Sequence, residues 1–150
     1  MTAESYEDYL KGIKDTVVSI VDGTTSFSGK VSADIIHSED ENPSARVELR
    51  DDAVLLEESG FSFLQHRTTL VIKVRYLAGV SESDFDTLLG YVGEIVDAVD
   101  SYRVNPTNPS INRIEVMGTE YSAQIRDPGA PLSMLHCHIT VRVDGYRKTE

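Results

Sequence analysis

The chain has no tryptophan, a single cysteine (Cys137) and few lysines for its 150 residues: Lys11, Lys14, Lys30, Lys73 and Lys148. A lone cysteine excludes an intrachain disulfide and a zinc site built on several thiolates. No apolar run approaches the roughly 18 residues that span a bilayer. The N-terminal stretch MTAESYEDYL is acidic, with no basic region leading into an apolar one, so no signal peptide is expected. The catalytic signatures are missing as well: no Gly-x-Ser-x-Gly elbow, Walker loop, dinucleotide fingerprint or His-Glu-x-x-His helix occurs. No two carboxylates lie in an apolar setting that would tune one as acid and the other as base. These absences point away from an enzyme, a cofactor and a membrane partner, and fit synthesis in a reducing cytoplasm.

Negative charge is present in excess. Asp and Glu number 25 against 14 Lys and Arg, a formal net charge of −11. That field opposes binding of duplex nucleic acid along the outer surface. It reads either as an ordinary soluble surface or as adaptation to high salt, where self-repulsion is screened within about 3 Å. The second reading predicts loosening or dissociation at low ionic strength. Apolar residues make up 40% of the chain, enough for one core in a single domain over 1–150 without a covalent staple.

Periodicity predicts an amphipathic helix from Ser5 to Val21, with Tyr6, Tyr9, Leu10, Ile13, Val17, Ile20 and Val21 inward and Gly23 as its stop. Strands are expected at Lys30–His37 and Ala45–Arg50, the latter with Val47 and Leu49 on one face. An acidic turn, Ser38–Asn42, leads to Pro43. Asp51-Asp52 reads as a turn or bulge, Ala53–Glu57 as a short continuation, and Thr68–Leu77 as the clearest strand. A second helix spans Ser81–Ser101, opened by a cap at Ser81/Asp84 or Ser83/Asp86, with Phe85, Leu88, Leu89, Val92, Ile95, Val96 and Val99 buried. Asn105–Ser110 is an ordered turn. Strands follow at Asn112–Met117, Thr119–Arg126 and Leu135–Val143, with a loop at Asp127–Pro131 and a frayed tail over 144–150. The order gives an α+β fold, a mainly antiparallel sheet with both helices on one face.

Among candidate chemical groups, His136 and His138 share one face of the last strand, a genuine two-ligand spacing that still lacks a third ligand. His37 or His66 could supply it only from a neighbouring strand. The plainer reading is two half-exposed imidazoles, with Cys137 as an inert core thiol on the other face. Asp34, Asp51, Asp52, Asp84 and Asp86 read as solvated, turn or cap residues. Two features look like contacts between subunits. Phe61, Phe63 and Leu64 are large apolar residues in a segment with weak strand character, and they fit an interface or the start of a core strand equally well. Gly90 and Gly93 each cost a helix roughly 1 kcal/mol relative to Ala, which close approach of another backbone would explain. That backbone could belong to another subunit or to the protein's own sheet.

The arrangement resembles the tail terminator family of long-tailed viruses. The correspondence runs through the N-terminal helix, the acidic stretch into Glu39-Asp-Glu-Asn-Pro-Ser-Ala-Arg-Val-Glu-Leu49, the alternating strand Thr68–Leu77 and the helix within Val80–Ser101. It closes with Gly118-Thr-Glu-Tyr121, the Asp127–Pro131 loop and Leu135–Val143. It covers nearly the whole chain in order and pattern, without invariant motifs. The resemblance implies a non-catalytic homo-oligomeric ring, expected to be hexameric, in the virion tail or neck and assembled in the host cytoplasm. Its partners would be tail tube protein on one side and neck or connector protein on the other, with DNA met only as it passes through. The acidity and low lysine count would suit a virus of a halophilic host. A related neck, head-closure or tail-completion protein is the alternative, and a small metal-binding domain or enzyme at His136 and His138 the more remote one.

Overall fold

The computed structural model describes residues 3–33, 42–78, 81–124 and 133–150. Helix α1 (Tyr6–Asp22) leads to a two-residue strand β1 (Val31–Ser32), and β2 (Ser44–Val54) follows. A 3-10 turn (Leu56–Glu58), β3 (Phe63–Ala78), helix α2 (Glu82–Val104), β4 (Ile111–Gln124) and β5 (Ser133–Lys148) complete the order. The sheet runs β1-β2-β3-β5-β4; β1 lies parallel to β2, and the other pairs are antiparallel. The chain is thus α+β with a mainly antiparallel sheet. No helix among the described residues is long and apolar enough to cross a membrane.

Each helix begins where its capping chemistry dictates. The Ser5 hydroxyl accepts from the Asp8 amide at 3.1 Å, and Glu7 and Asp8 lie in the first turn, where the helix dipole favours them. Ser81 and Asp84 form the capping box that starts α2, so the Ser83/Asp86 option is not used. The turn after α2 is ordered by Asn108. Its amide N–H donates to the Tyr102 hydroxyl (2.8 Å) and its side chain reaches Thr16 on α1 (3.1 Å).

One hydrophobic cluster lies between the helices and one face of the sheet. Tyr9, Ile13, Val17 and Val21 come from α1; Leu88, Val92, Ile95 and Val99 come from α2. The strands supply alternate residues: Leu70, Ile72 and Val74 from β3, and Leu135, Cys137, Ile139, Val141 and Val143 from β5. Phe27, in the loop after α1, is fully buried and meets the Tyr91 ring edge-on; the sequence reading did not place it in the core.

Several expectations are corrected. Residues 144–150 are not a frayed tail: β5 continues to Lys148, and the Thr149 amide bonds the Ser62 carbonyl at 2.9 Å. The backbone is held there because β3 extends back to Phe63, well before Thr68, and pairs with it. The strands expected at Asn112–Met117 and Thr119–Arg126 are one, β4 (Ile111–Gln124), with a register shift between Val116 and Gly118; residues 125 and 126 lie outside the described residues. Of the two readings of Asp51-Asp52, turn or bulge, the bulge is the one formed: β2 runs on to Val54 through a register shift between Leu49 and Asp51. Tyr6, Leu49, Phe85 and Leu89, expected inward, are 38–47% exposed. Of the first expected strand only Val31–Ser32 is formed among the described residues; Asp34, His37, most of the acidic turn and the Asp127–Pro131 loop lie outside them.

Candidate interaction surfaces

His136 and His138 do project from the sheet face away from the helices, while Cys137 points into the core. β3 places the cations Arg75 and Lys73 opposite His136 and His138, and β4 places Ser122 and Glu120 on their other side. Burial, and then the nearby charges of His138 and Arg75, hold His136 below the ordinary histidine value; burial, Lys73 and Arg50 do the same to His138. Across the described residues no three His, Cys, Asp or Glu side chains converge as a metal would need. His66 faces the helices and pairs with Gly145, nine positions from His136, so it cannot join them. Burial pushes the Cys137 thiol up to about 11, the state of a core thiol rather than a nucleophile.

The helix-free face carries a charge pattern that totals conceal. Arg46, Arg50, Lys73 and Arg75 project from it toward one end, and Arg67, Arg113, Arg142 and Lys148 toward the other. Glu48, Asp51, Glu115, Glu120 and Asp144 share the face, so among the described residues eight Lys and Arg meet five carboxylates there. Glu48 takes Lys73 at 2.9 Å and Arg46 at 3.2 Å, and the Lys73 hydrogen bond holds its carboxyl below the usual range. Glu115 bridges Arg113 and Arg142, and Asp144 takes Arg67. The face is a lattice of ion pairs with long side chains lying across the strands. Among the described residues, the excess negative charge lies away from this face.

On the helix side, the bulge at Arg50 has a specific consequence. Before it, odd-numbered β2 residues face the helices; after it, Asp52 aligns with Thr68 and turns inward. Its carboxylate accepts from His66 Nδ1 and from the Thr68 hydroxyl, each at 2.8 Å, with both side chains of the Asp–His pair buried. Arg147 donates from Nε to His66 Nε2 at 3.3 Å. A guanidinium only donates, so Nε2 accepts and the imidazole proton sits on Nδ1. Arg147 also lies over the Tyr6 ring, and the His66 ring packs on Tyr9. This relay ties β2, β3 and β5 to the start of α1. His66 is fully shielded, so the group is architectural and offers no substrate access. Asp52, read from sequence as a turn or solvated residue, is therefore corrected. The sequence offered a bulge here as an alternative to a turn, but not its consequence for which way Asp52 faces.

The proposed contact residues separate. Phe61 is wholly exposed at the hairpin tip, with Leu56 beside it in the chain order at 75% exposure. Phe63 and Leu64 begin β3 instead, and the Phe63 ring packs edge-on against Tyr146 at 5.8 Å. At Gly90 and Gly93 an added Cβ would meet nothing within 4 Å. Their own sheet is therefore not the backbone they accommodate. Beside them on α2, Phe85 and Leu89 are 39% and 41% exposed, Phe85 leaning on Tyr121 of β4. At the other end of the sheet, Tyr6, Leu10, Lys14 and Leu49 line a groove of about 360 Å³. Sequence reasoning counted Phe85 and Leu89 in the buried stripe. Residues 85, 88, 89, 92 and 96 span about 100° of the helix, the width of an ordinary core-facing stripe, so the pattern alone did not set Phe85 and Leu89 apart.

No family model matches the chain, and no curated protein is similar to it.

Proposed function

We propose that this protein is a non-enzymatic structural subunit of a long-tailed virion, forming a homo-oligomeric ring that closes the tail tube and joins tail to head. The order of elements supports the reading at the level of pattern. The observation that carries it is the state of the two ends of the sheet. Exposed apolar side chains stand at both, Leu49 and Tyr6 at the β2 end and Phe85 and Leu89 at the β4 end. Two unlike sticky ends on one subunit are what a ring requires. Joined side by side, such subunits would present one sheet face around the axis. The arginine-rich face is the one suited to passing DNA, since cations there would neutralise phosphates. Assembly would take place in the host cytoplasm, with tail tube protein and connector protein as neighbours.

Negative-stain microscopy in molar salt tests the reading. Closed rings of uniform diameter are expected, and a strict monomer at every salt concentration would overturn it. A head-closure or tail-completion role differs in its partner: a terminator should cap isolated tail tubes, and a head-closure protein should not.

A further inference from the structure

We infer that the groove between α1 and the part of the β2 edge that β1 leaves uncovered among the described residues is the socket for the outer flank of α2 from a second copy of this chain. The inference rests on the ring reading and names the surfaces that would build it.

The groove is open because neither neighbour fills it. Tyr6 and Leu10 of α1 form one wall and Leu49 of β2 the other. Among the described residues, β1 covers β2 only at Ala45 and Arg46. At Lys14 and Leu49 the groove runs into a second depression of about 520 Å³ whose lining includes Arg46 and Lys73. Among the described residues the two depressions carry Lys11, Lys14, Arg46 and Lys73 against Glu7, which pairs with Lys11, and Glu48, which pairs with Lys73 and Arg46, so a positive excess remains.

The outer flank of α2 is its complement. Phe85 and Leu89 stand out of the core, and Gly93 lies one turn beyond Leu89, with open space where a side chain would be. A partner strand edge can approach the helix axis there without a clash. Asp86, Asp97 and Asp100 border this apolar strip on exposed positions, so its charge is negative where that of the groove is positive. Apolar contact with opposed charge is the pattern of a specific interface.

Position decides the symmetry. Helix α1 packs over β1 and β2, and α2 packs mainly over β4, so the two surfaces lie at opposite ends of the sheet. A contact between unlike patches repeats from copy to copy and closes when the rotation closes. A two-fold dimer would instead need the groove and the flank of each copy to meet those of the other at once, which surfaces at opposite ends of the sheet do not allow.

The test uses two full-length variants, Leu49→Asp in the groove and Leu89→Asp on the flank, each checked for wild-type helicity by circular dichroism. Each change sets a charge in an apolar contact and should raise the apparent Kd of assembly by at least about tenfold. Each variant alone should then sediment as monomer at concentrations where the wild type assembles. Mixed one to one, they retain one intact groove and one intact flank per pair, so heterodimers should appear that cannot grow. If both variants assemble like the wild type, or the mixture stays monomeric, the proposed contact is wrong while the ring reading stands. A wild type that never assembles would overturn both.

Discussion

The two faces of the sheet are built from the same strands, one residue out of step, and they solve burial in different ways. Ile139 faces the helices and is fully buried in a core shared with α1 and α2; Thr140 faces away, between Val71 and Gly118. On the covered face, shielding comes from a second layer, and its energy is the transfer of apolar surface out of water. On the open face, it comes from the stems of Arg and Lys laid across the strands, with heads paired to Glu48 and Glu115. The first is intolerant of change and the second adaptable. Chain-wide acidity hides the difference, because the carboxylates gather elsewhere while the basic residues gather on the open face.

The largest expected effects lie on the covered face. Asp52→Ala leaves His66 Nδ1–H and the Thr68 hydroxyl without their acceptor, at about 1–3 kcal/mol for each buried donor. Chemical denaturation should show a loss of roughly 2–5 kcal/mol, similar to Ile139→Ala. Thr140→Ala, one position away, should cost less than about 1 kcal/mol. Equal losses at 139 and 140 would break the contrast between the faces. Next comes Gly145→Ala. An added Cβ would stand 2.5 Å from the Tyr9 hydroxyl and 2.6 Å from the Ser110 carbonyl, so backbone must move, at about 1–3 kcal/mol. A neutral result in thermal unfolding would show that this end of β5 is looser than described.

The smallest effect is one of pH and belongs to the open face. His136 and His138 are held below the ordinary histidine value of 6.5 in the folded protein. Below that value the unfolded chain binds more protons than the folded one, so stability rises with pH. It is present in full above the ordinary value and is lost as the pH falls from there through the lowered folded-state values. Thermal unfolding at pH 8 and pH 5 should show a smaller drop for the His136→Gln, His138→Gln double variant than for the wild type. Identical drops would mean that burial and the cations around them do not hold these imidazoles below the ordinary value.

Much of the covered face was legible because alternation survives in the strands that form it. The inward set Leu135, Cys137, Ile139, Val141 and Val143 follows from a period of two, and the α2 start follows from Ser81 and Asp84. The relay was not legible: Asp51-Asp52 read as either a turn or a bulge, and only the bulge's exact place sets the facing of the β2 residues after Leu49. Phe27 escaped notice because a single aromatic residue in a loop has no period. The exposed flank of α2 and the groove beside β2 depend on which helix covers which strand, and a linear pattern does not encode that. The interface expectation was divided accordingly: Phe61 remains outside, Phe63 and Leu64 enter the sheet, and Gly90 and Gly93 face open space.

The claim that surfaces rather than a catalytic site define this protein is tested most directly by its mass in solution. Light scattering on the wild-type chain, in molar salt and in dilute buffer, should give one discrete closed oligomer in salt and smaller species on dilution. A 16.6 kDa monomer under both conditions would contradict the account.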